Sequence, residues 1–247
     1  DVALKATPDT LVWRDKLAFN ESYVEYYLRH PSYQNYPVVG VNWLQANDYC
    51  AWRTDRVNES ILIREGVLKM DAVGQVADNN FNTDAYLAGQ YEGLVKNDPV
   101  DLDPSKGEGA TRKVKMEDGI LLPRYRLPTE AEWEFAAIGL IGNTTEELIT
   151  ERRLYPWNGH IVRNADDSFK GEMMANFKRG RGDNMGTAGK LNDNADITGE
   201  VTAYWPNDYG LYNMAGNVSE WVMDVYRALT PEDVSDFRAF RGNVYKT

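Results

Sequence analysis

Apolar residues recur at helical spacing after Asn42. They are Trp43, Ala46, Cys50 and Val57. This period predicts an amphipathic helix that ends near Asn58. Asn42 has a side chain suited to an N-cap, and Gln45 lies at the capping-box position three residues later. The sequence therefore predicts where this helix begins as well as which face it buries.

Another helix is predicted from the segment between Arg126 and Glu134. Thr129 is its expected N-cap, and Glu132 completes a capping box. Acidic residues in the first turn also suit the positive end of the helix dipole. The inward-facing residues are Trp133, Ala136 and Ala137. A shorter helix is predicted within residues 20–29, because Pro31 follows and proline ends helices at or before the preceding residue.

Strand-like patterns are short. The β-branched run from Val38 to Val41 predicts a strand end. Residues 216–226 also predict a strand. Their apolar positions are Val218, Trp221 and Val225.

Long parts of the chain have weak apolar periodicity. Residues 59–120 are rich in Asp, Asn and Gly, which predicts a long surface insertion with at most a short helix or hairpin. Residues 155–215 have the composition of turns. Such irregular backbone must satisfy its buried polar groups in other ways, and bound metal ions are one of them.

Composition narrows the function classes. The chain has 247 residues with 43% hydrophobic residues, enough for a substantial core, and a net charge of -11. An acidic chain is not expected to bind nucleic acid or an anionic membrane surface. No apolar run approaches the roughly 20 residues of a membrane span. The single cysteine, Cys50, excludes an intrachain disulfide and a zinc site built on several thiolates.

Six motifs occur in the order in which one protein family has them. They are residues 36–52 (family pattern PVVGVSW…A…YC.W), 126–134 (RLPTEAEWE), 155–159 (YPWG or FPWG), 175–177 (AN and an apolar residue), 209–222 (GLYDM.GNVWEW) and 240–242 (the start of RGGSW). Through these motifs the chain resembles the formylglycine-generating-enzyme, or sulfatase-modifying-factor, family. The resemblance implies an α+β fold with a C-type-lectin-like arrangement and little regular secondary structure. It implies one domain over residues 1–247, the insertion at about 59–120, and a C-terminal continuation after Thr247.

Within the family, the insertion and the run from Trp52 to Asn58 resemble gliding-motility lipoproteins of the GldJ and GldK type, and GldJ most. These proteins belong to Bacteroidetes with type IX secretion. The resemblance implies a structural scaffold lipoprotein at the periplasmic side of the outer membrane. Its lipid anchor would precede Asp1, and its partners would be ring or motor components of the gliding and secretion machinery.

The family's enzymes oxidise a substrate cysteine with two copper-binding cysteines that follow the RGGSW segment. Here Asn243 replaces a glycine and the sequence reaches Thr247 without a cysteine. Cys50 matches a structural helix position of the family, and we expect it to be a small buried apolar residue. One thiol cannot replace a thiolate pair, so we expect neither copper nor oxidase activity. A cysteine pair after Thr247 would change this expectation.

Calcium is the cofactor that the resemblance implies. One site maps onto Asn213, Gly216, Val218 and Glu220, which we call site 1. Asn213 and Glu220 would supply side-chain oxygens, and the other two backbone carbonyls. Site 2 maps onto Asn176, Phe177, Asp193 and Ala195, and Asp196 competes with Asp193 for the carboxylate role. Calcium binds six to eight such oxygens. The alternative for site 1 is a tight turn at residues 216–217 that leads into a core strand.

Other patterns predict less chemistry. The strings 78–83 and 101–106 alternate like calcium loops but lack the glycine and glutamate of an EF-hand, and we interpret them as solvated loops. His30 and His160 have no nucleophile at a recognisable spacing. The aromatic stretch 204–209 either forms a rim for a sugar or protein ligand or closes the core. A carbohydrate-binding module therefore remains an alternative function.

Overall fold

The computed structural model describes residues 5–16, 18–71, 73–75, 79–139, 154–157, 159–178, 192–193 and 195–225. The chain forms two compact units. Unit 1 contains Asp1–Asn42 and Pro128–Thr247, and unit 2 contains Trp43–Leu127. A single domain over the whole chain stays a prediction.

One helix of 22 residues, several shorter helices and irregular backbone make up the described residues. The helices with described bounds are α1 (Glu21–Tyr26), α2 (Trp43–Arg64), α3 (Thr83–Leu87) and α4 (Glu130–Ile138), and single 3₁₀ turns occupy Thr10–Trp13, Pro31–Tyr33, Pro104–Lys106 and Met116–Asp118. Extended pairing in the described ranges is limited to isolated antiparallel bridges at Leu68–Val95, Val100–Thr111 and Arg163–Met173. The low content of regular structure agrees with the prediction, whereas the sheets of an α+β fold stay a prediction. None of the described helices is long and apolar enough to cross a membrane.

The predicted helix starts are confirmed. Helix α2 begins directly after Asn42. In α4 the hydroxyl of Thr129 accepts a hydrogen bond from the Glu132 amide at 3.2 Å, and the Glu132 carboxylate accepts one from the Thr129 amide at 2.9 Å. Gly139 then ends the helix in a left-handed conformation with φ of 59°. The predicted end of α2 near Asn58 is wrong, because the helix continues to Arg64.

Neither strand prediction agrees with the structure. Gly40 interrupts the valine run with φ of +84°, and its carbonyl accepts a hydrogen bond from the Asp9 amide at 2.8 Å. A side chain at Gly40 would collide with the Asp9 backbone. In the second segment Gly216 and Asn217 have φ of 80° and 65°. Left-handed backbone cannot continue a pleated strand, and residues 216–225 form bends and irregular backbone.

The predicted surface insertion has a core of its own. Leu62, Phe81, Tyr86 and Val114 are almost fully buried in one apolar cluster of unit 2. The Tyr86 hydroxyl accepts a hydrogen bond from the Val114 amide at 3.2 Å. These apolar residues are separated by turns, so they have no helical or strand period. This is the physical reason why the periodicity indicated a surface loop.

Polar side chains of α2 bind the insertion and the segment directly after it. Asn58 is fully buried, its Oδ1 accepts from the Leu122 amide at 2.9 Å, and its Nδ2 donates to the Leu122 carbonyl at 3.2 Å. The Asp55 carboxylate accepts from the Thr83 amide at 2.8 Å. Thr54 accepts from the Tyr125 amide at 2.9 Å. The run 52–58, which carries the GldJ-like resemblance, is therefore the part of α2 that binds the insertion.

Unit 1 contains a cluster of aromatic rings near its N-terminal end. Trp13 stacks on Tyr23 with ring centroids 5.0 Å apart, and Tyr27 packs between Trp13 and Tyr33. Trp13 and Tyr27 are buried. The Tyr27 hydroxyl donates to the Pro37 carbonyl at 2.7 Å. These contacts order a segment in which the α-helix with described bounds, α1, has six residues.

Candidate calcium sites and an aromatic cavity

The four predicted ligands of site 1 lie around one cavity. Asn213, Gly216, Val218 and Glu220 all line a space of about 490 Å³ in unit 1. Asn213 and Gly216 have positive φ values of 52° and 80°. The segment therefore turns around the cavity instead of running past it as a strand. The structure brings the predicted set together.

Two hydrogen bonds orient the Asn213 amide. Its Nδ2 donates to the carbonyl oxygens of Glu200 at 3.1 Å and Val201 at 2.9 Å, which uses both of its hydrogens. Its Oδ1 is buried and has no hydrogen-bond partner among the described residues. An unsatisfied buried acceptor costs about 1–3 kcal/mol, and a cation bound to Oδ1 would remove that cost. The oxygen therefore fits a calcium ligand.

Helix α4 positions the carboxylate of site 1. The indole nitrogen of Trp133 donates to Oε2 of Glu220 at 2.7 Å. The amide of Glu130, in the first turn of α4, donates to Oδ1 of Asp224 at 2.7 Å. The two motifs 126–134 and 209–222 thus meet at this carboxylate. The helical period predicts only a core position for Trp133, and its place in the motif 126–134 is the sequence signal for this second role.

Site 2 contains a buried carboxylate. Asp193 is only 3% exposed, and its side-chain oxygens accept long hydrogen bonds of 3.4 Å from the amides of Phe177 and Ala195. Within the described ranges no lysine or arginine forms an ion pair with Asp193. A buried charge needs a compensating charge. The donor set of Asn176, Phe177, Asp193 and Ala195 therefore fits a cation.

The competing carboxylate, Asp196, has a different partner. Its Oδ2 accepts a hydrogen bond from the Tyr23 hydroxyl at 2.6 Å. Burial raises the pKa of Tyr23, and the hydrogen bond to Asp196 raises this pKa further. The Tyr27 hydroxyl lies 3.0 Å from the Thr198 hydroxyl. Asp193 is therefore the better candidate ligand, whereas Asp196 attaches its segment to the aromatic cluster.

The structure adds one residue to these sites that the sequence analysis did not assign. The Asn217 amide donates to the Asn176 carbonyl at 2.8 Å, and Asn217 Oδ1 accepts from Asn176 Nδ2 at 3.1 Å. Asn217 thus connects a site 2 ligand with the turn of site 1. The only sequence signal was its position between two predicted carbonyl ligands, Gly216 and Val218.

A separate cavity of about 510 Å³ in unit 1 has aromatic walls. Trp157, Phe169 and Trp205 line it, together with polar side chains that include Asn164 and Glu172. Trp205 is 59% exposed and packs edge-to-face with Phe169 at 4.9 Å. Trp205 therefore does not close the core, and the structure favours the rim over the closing role at this position of the stretch 204–209.

The remaining candidate groups have structural roles in the part of the chain that the structure describes. His30 Nδ1 accepts from the Ser32 amide at 3.2 Å and caps a 3₁₀ turn. Asp101 forms an ion pair with Lys106 at 2.8 Å, and Asp103 caps the turn at 104–106. Cys50 is half-buried rather than buried, and burial raises the pKa of its thiol.

A conventional metal centre is not visible among the described residues, which contain no cluster of three or more His, Cys, Asp or Glu side chains. Sites 1 and 2 have one carboxylate each, so they would not form such a cluster. The segments 226–247 and 179–191 lie outside the described residues. The predicted motif at residues 240–242 therefore lies outside the described residues.

Comparison with known proteins identifies the family. The family model for the sulfatase-modifying factor enzyme 1-like domain matches residues 18–247. The chain belongs to this family of formylglycine-generating-enzyme-type domains.

Individual relatives match over shorter stretches. The formylglycine-generating enzyme of Mus musculus is 38% identical over 99 residues, which are 40% of this chain and 22% of that protein. The inactive C-alpha-formylglycine-generating enzyme 2 of Bos taurus is 36% identical over 118 residues, 47% of this chain and 31% of that protein. A serine/threonine-protein kinase pkn1 of Chlamydia pneumoniae is 34% identical over 134 residues, 49% of this chain and 16% of that protein. The matches thus span less than a third of these relatives, and no solved structure matches the chain.

Proposed function

We propose that this chain is a non-catalytic domain that serves as a structural scaffold in a cell envelope. The family contains proteins named as enzymes and proteins named as inactive, so membership alone does not decide between them. The single cysteine of the chain lies in helix α2 and is half-buried with a raised pKa. Thiolate is the form that binds copper and reacts, and this thiol disfavours it.

The observation that carries the scaffold proposal is the bound insertion. A loose loop would have no core, whereas this insertion buries Phe81, Tyr86 and Val114. Asp55 of α2 binds Thr83 within it, and Asn58 binds Leu122 directly after it. An ordered insertion that is attached to a helix offers a fixed surface to which other proteins can bind. The residues that hold it belong to the run that resembles GldJ.

From that resemblance we infer a gliding-motility lipoprotein of the GldJ or GldK type. It would face the periplasm from the outer membrane, through a lipid anchor outside this sequence. Ring or motor components of the type IX secretion machinery would be its partners. Nucleic acid would not be among them, because the chain has a net charge of -11.

The test is immunoprecipitation of the tagged full-length protein from crosslinked native cell envelopes. Wild type and the exposed control Asn97→Ala should recover the same set of secretion proteins. Asn58→Ala should recover much less of it, because the insertion loses its attachment to α2. Recovery of the wild-type protein as a free monomer would count against the scaffold.

An oxidase is the competing hypothesis, with catalytic cysteines after Thr247. The sequence of the full-length gene product discriminates between the two. A cysteine pair in the next segment, together with conversion of a cysteine peptide to formylglycine by the copper-loaded protein, would establish the oxidase. Unchanged peptide would support the non-catalytic assignment.

We propose that sites 1 and 2 bind calcium and thereby stabilise the irregular loops of unit 1. The buried, unpaired Oδ1 of Asn213 supports site 1, and the buried Asp193 carboxylate supports site 2. One carboxylate per site indicates modest affinity, in the range of about 10⁻⁴ to 10⁻³ M that extracellular calcium modules have. Such sites would be filled only where calcium is abundant.

The aromatic cavity supports a second candidate function, carbohydrate binding. Exposed Trp205 and the polar lining of the cavity combine a flat apolar face with hydrogen-bonding groups. Binding on a glycan array that Trp205→Ala abolishes and that Trp52→Ala, a substitution in unit 2, retains would support this function. An array without any bound glycan would exclude it for the sugars tested.

A further inference from the structure

We propose that Asn217 couples the two calcium sites, so that calcium at one site raises the affinity of the other. This inference rests on the proposed calcium function. It assigns a positioning role to Asn217, which is not among the predicted ligands. Its basis is the set of hydrogen bonds that connects the two ligand sets.

Asn217 binds both sides of the connection. It lies in the turn of site 1, between the carbonyl ligands Gly216 and Val218, with φ of 65°. Its amide and its Oδ1 bond to Asn176 of site 2. The same Oδ1 accepts from the Gly199 amide at 2.8 Å, and Nδ2 donates to the Gly199 carbonyl at 3.2 Å.

The segment that follows the site 2 ligands closes the network. Asn176 Nδ2 donates to the Ile197 carbonyl at 3.1 Å, and Asn213 Nδ2 binds the carbonyls of Glu200 and Val201. A ligand of each site therefore holds the same stretch, 197–201. Movement of this stretch would displace the amides of both Asn176 and Asn213.

Gly216 makes the connection tight. Its Cα lies so close to Asn176 that a Cβ on Gly216 would collide with the Asn176 carbonyl oxygen. This carbonyl is the one to which the Asn217 amide donates. Glycine at 216 permits the close approach, and asparagine tolerates the left-handed conformation at 217 better than most residues.

Cooperativity follows from the shared support. The ligands lie on backbone without strands or long helices, and its ordering costs conformational entropy. Calcium at site 1 would fix Asn213 and residues 216–218, and through Asn217 and the stretch 197–201 it would also fix Asn176. The second calcium ion then meets ligands that are already ordered, which is positive coupling. The coupling is reciprocal by thermodynamic necessity.

The test is calcium titration of the chelator-treated full-length protein by isothermal calorimetry. Wild type should bind two ions with a Hill coefficient above 1. Glu220→Gln, which neutralises the only carboxylate of site 1, should weaken calcium binding at site 2 by about 5- to 10-fold, within the usual range of coupling. Asp193→Asn should weaken site 1 by the same factor.

Asn217→Gly removes the side-chain hydrogen bonds of Asn217 and keeps its backbone conformation, because glycine readily adopts the left-handed φ. It should lower the Hill coefficient to 1 and weaken both sites, whereas Asn97→Ala in unit 2 should change neither. Circular dichroism of each variant without calcium controls for unfolding.

The coupling would be overturned if wild type binds two ions with a Hill coefficient of 1 and Glu220→Gln leaves the affinity of site 2 unchanged. A wild-type protein that binds no calcium would instead overturn the proposed calcium function itself.

Discussion

Asn58 shows how much one polar residue can determine in this chain. It is completely buried, and its amide satisfies both the N–H and the carbonyl of Leu122. The residue is 64 positions from Leu122 along the chain, so local sequence gives no sign of the pairing. The sequence pattern indicated only that a helix ends near this residue.

Asn58→Ala should therefore lower the free energy of unfolding by about 2–4 kcal/mol. The substitution removes two hydrogen bonds to Leu122, each worth about 0.5–1.5 kcal/mol, and leaves a cavity where the completely buried Asn58 side chain was packed. Urea denaturation followed by circular dichroism measures the change. The control is Asn97→Ala. This residue is exposed and its side chain makes one long hydrogen bond of 3.4 Å, so we expect a change below about 0.5 kcal/mol. Equal effects of the two variants would contradict the role of Asn58.

The Arg112–Asp118 pair predicts a pH dependence of stability. The Arg112 guanidinium, 2.7 Å from the carboxylate, and the Lys115 amide hold the pKa of Asp118 at about 2. In the unfolded chain an aspartate has a pKa of about 3.9. The folded state thus favours the ionised form, and this contribution is present above about pH 4 and is lost as the pH falls towards 2.

We expect the urea midpoint of the wild-type protein to fall more steeply between pH 5 and pH 2 than that of Asp118→Asn. The difference between the two proteins should be largest at neutral pH and should vanish near pH 2. It should also be small, because the Arg112–Asp118 contact lies at the surface, where solvent screens the attraction. Parallel midpoint curves at all pH values would exclude the contribution.

At the scale of secondary structure, helix starts were predictable and strands were not. Thr129 and Glu132 form their capping box through contacts three residues apart, so the sequence alone contains the signal. The strand-like runs at Val38–Val41 and 216–225 are interrupted at Gly40 and Gly216, where the backbone lies close to Asp9 and Asn176. A local sequence pattern gives no sign of such contacts. The same applies to the sites. The family motifs predicted which residues are candidate ligands. The roles of Asn217 and Trp133 arise from contacts between distant segments of the chain, which the motifs do not predict.

Thr129→Ala tests the best-predicted element. Loss of the cap should cost about 1 kcal/mol, within the range measured for such substitutions, while Thr129→Ser should retain most of the stability. Because the first turn of α4 also binds Asp224 and presents Trp133 to Glu220, the alanine variant should weaken calcium binding at site 1 as well. Thermal unfolding with and without calcium measures both effects. Equal melting temperatures for the alanine and serine variants would show that the cap contributes nothing.

At the scale of the molecule, the proposed calcium sites compensate for the low content of regular structure in unit 1. Side-chain amides there form hydrogen bonds with backbone N–H and carbonyl groups, which neighbouring strands do in a β-sheet. Asn207 illustrates it: its Nδ2 donates to the carbonyls of Ala136 and Ala137, and its Oδ1 accepts from the amides of Tyr209 and Leu211. One side chain thus satisfies four backbone groups. Calcium ions would extend the same principle to carbonyls and carboxylates.

Removal of calcium should therefore lower the melting temperature of the protein. A ligand that binds only the folded state stabilises it by RT ln(1 + [L]/Kd). At about 10 mM calcium and a Kd of about 1 mM, each site contributes about 1.4 kcal/mol, which corresponds to about 3–6 °C for a chain of this size. Glu220→Ala should lose most of this shift, because coupling weakens site 2 together with site 1.

The net charge of -11 requires a control, since any divalent cation screens repulsion between carboxylates. Magnesium at the same concentration provides it, because magnesium requires stricter octahedral geometry and retains its waters. A shift that magnesium reproduces in full, or that Glu220→Ala retains, would assign the stabilisation to general screening rather than to sites 1 and 2.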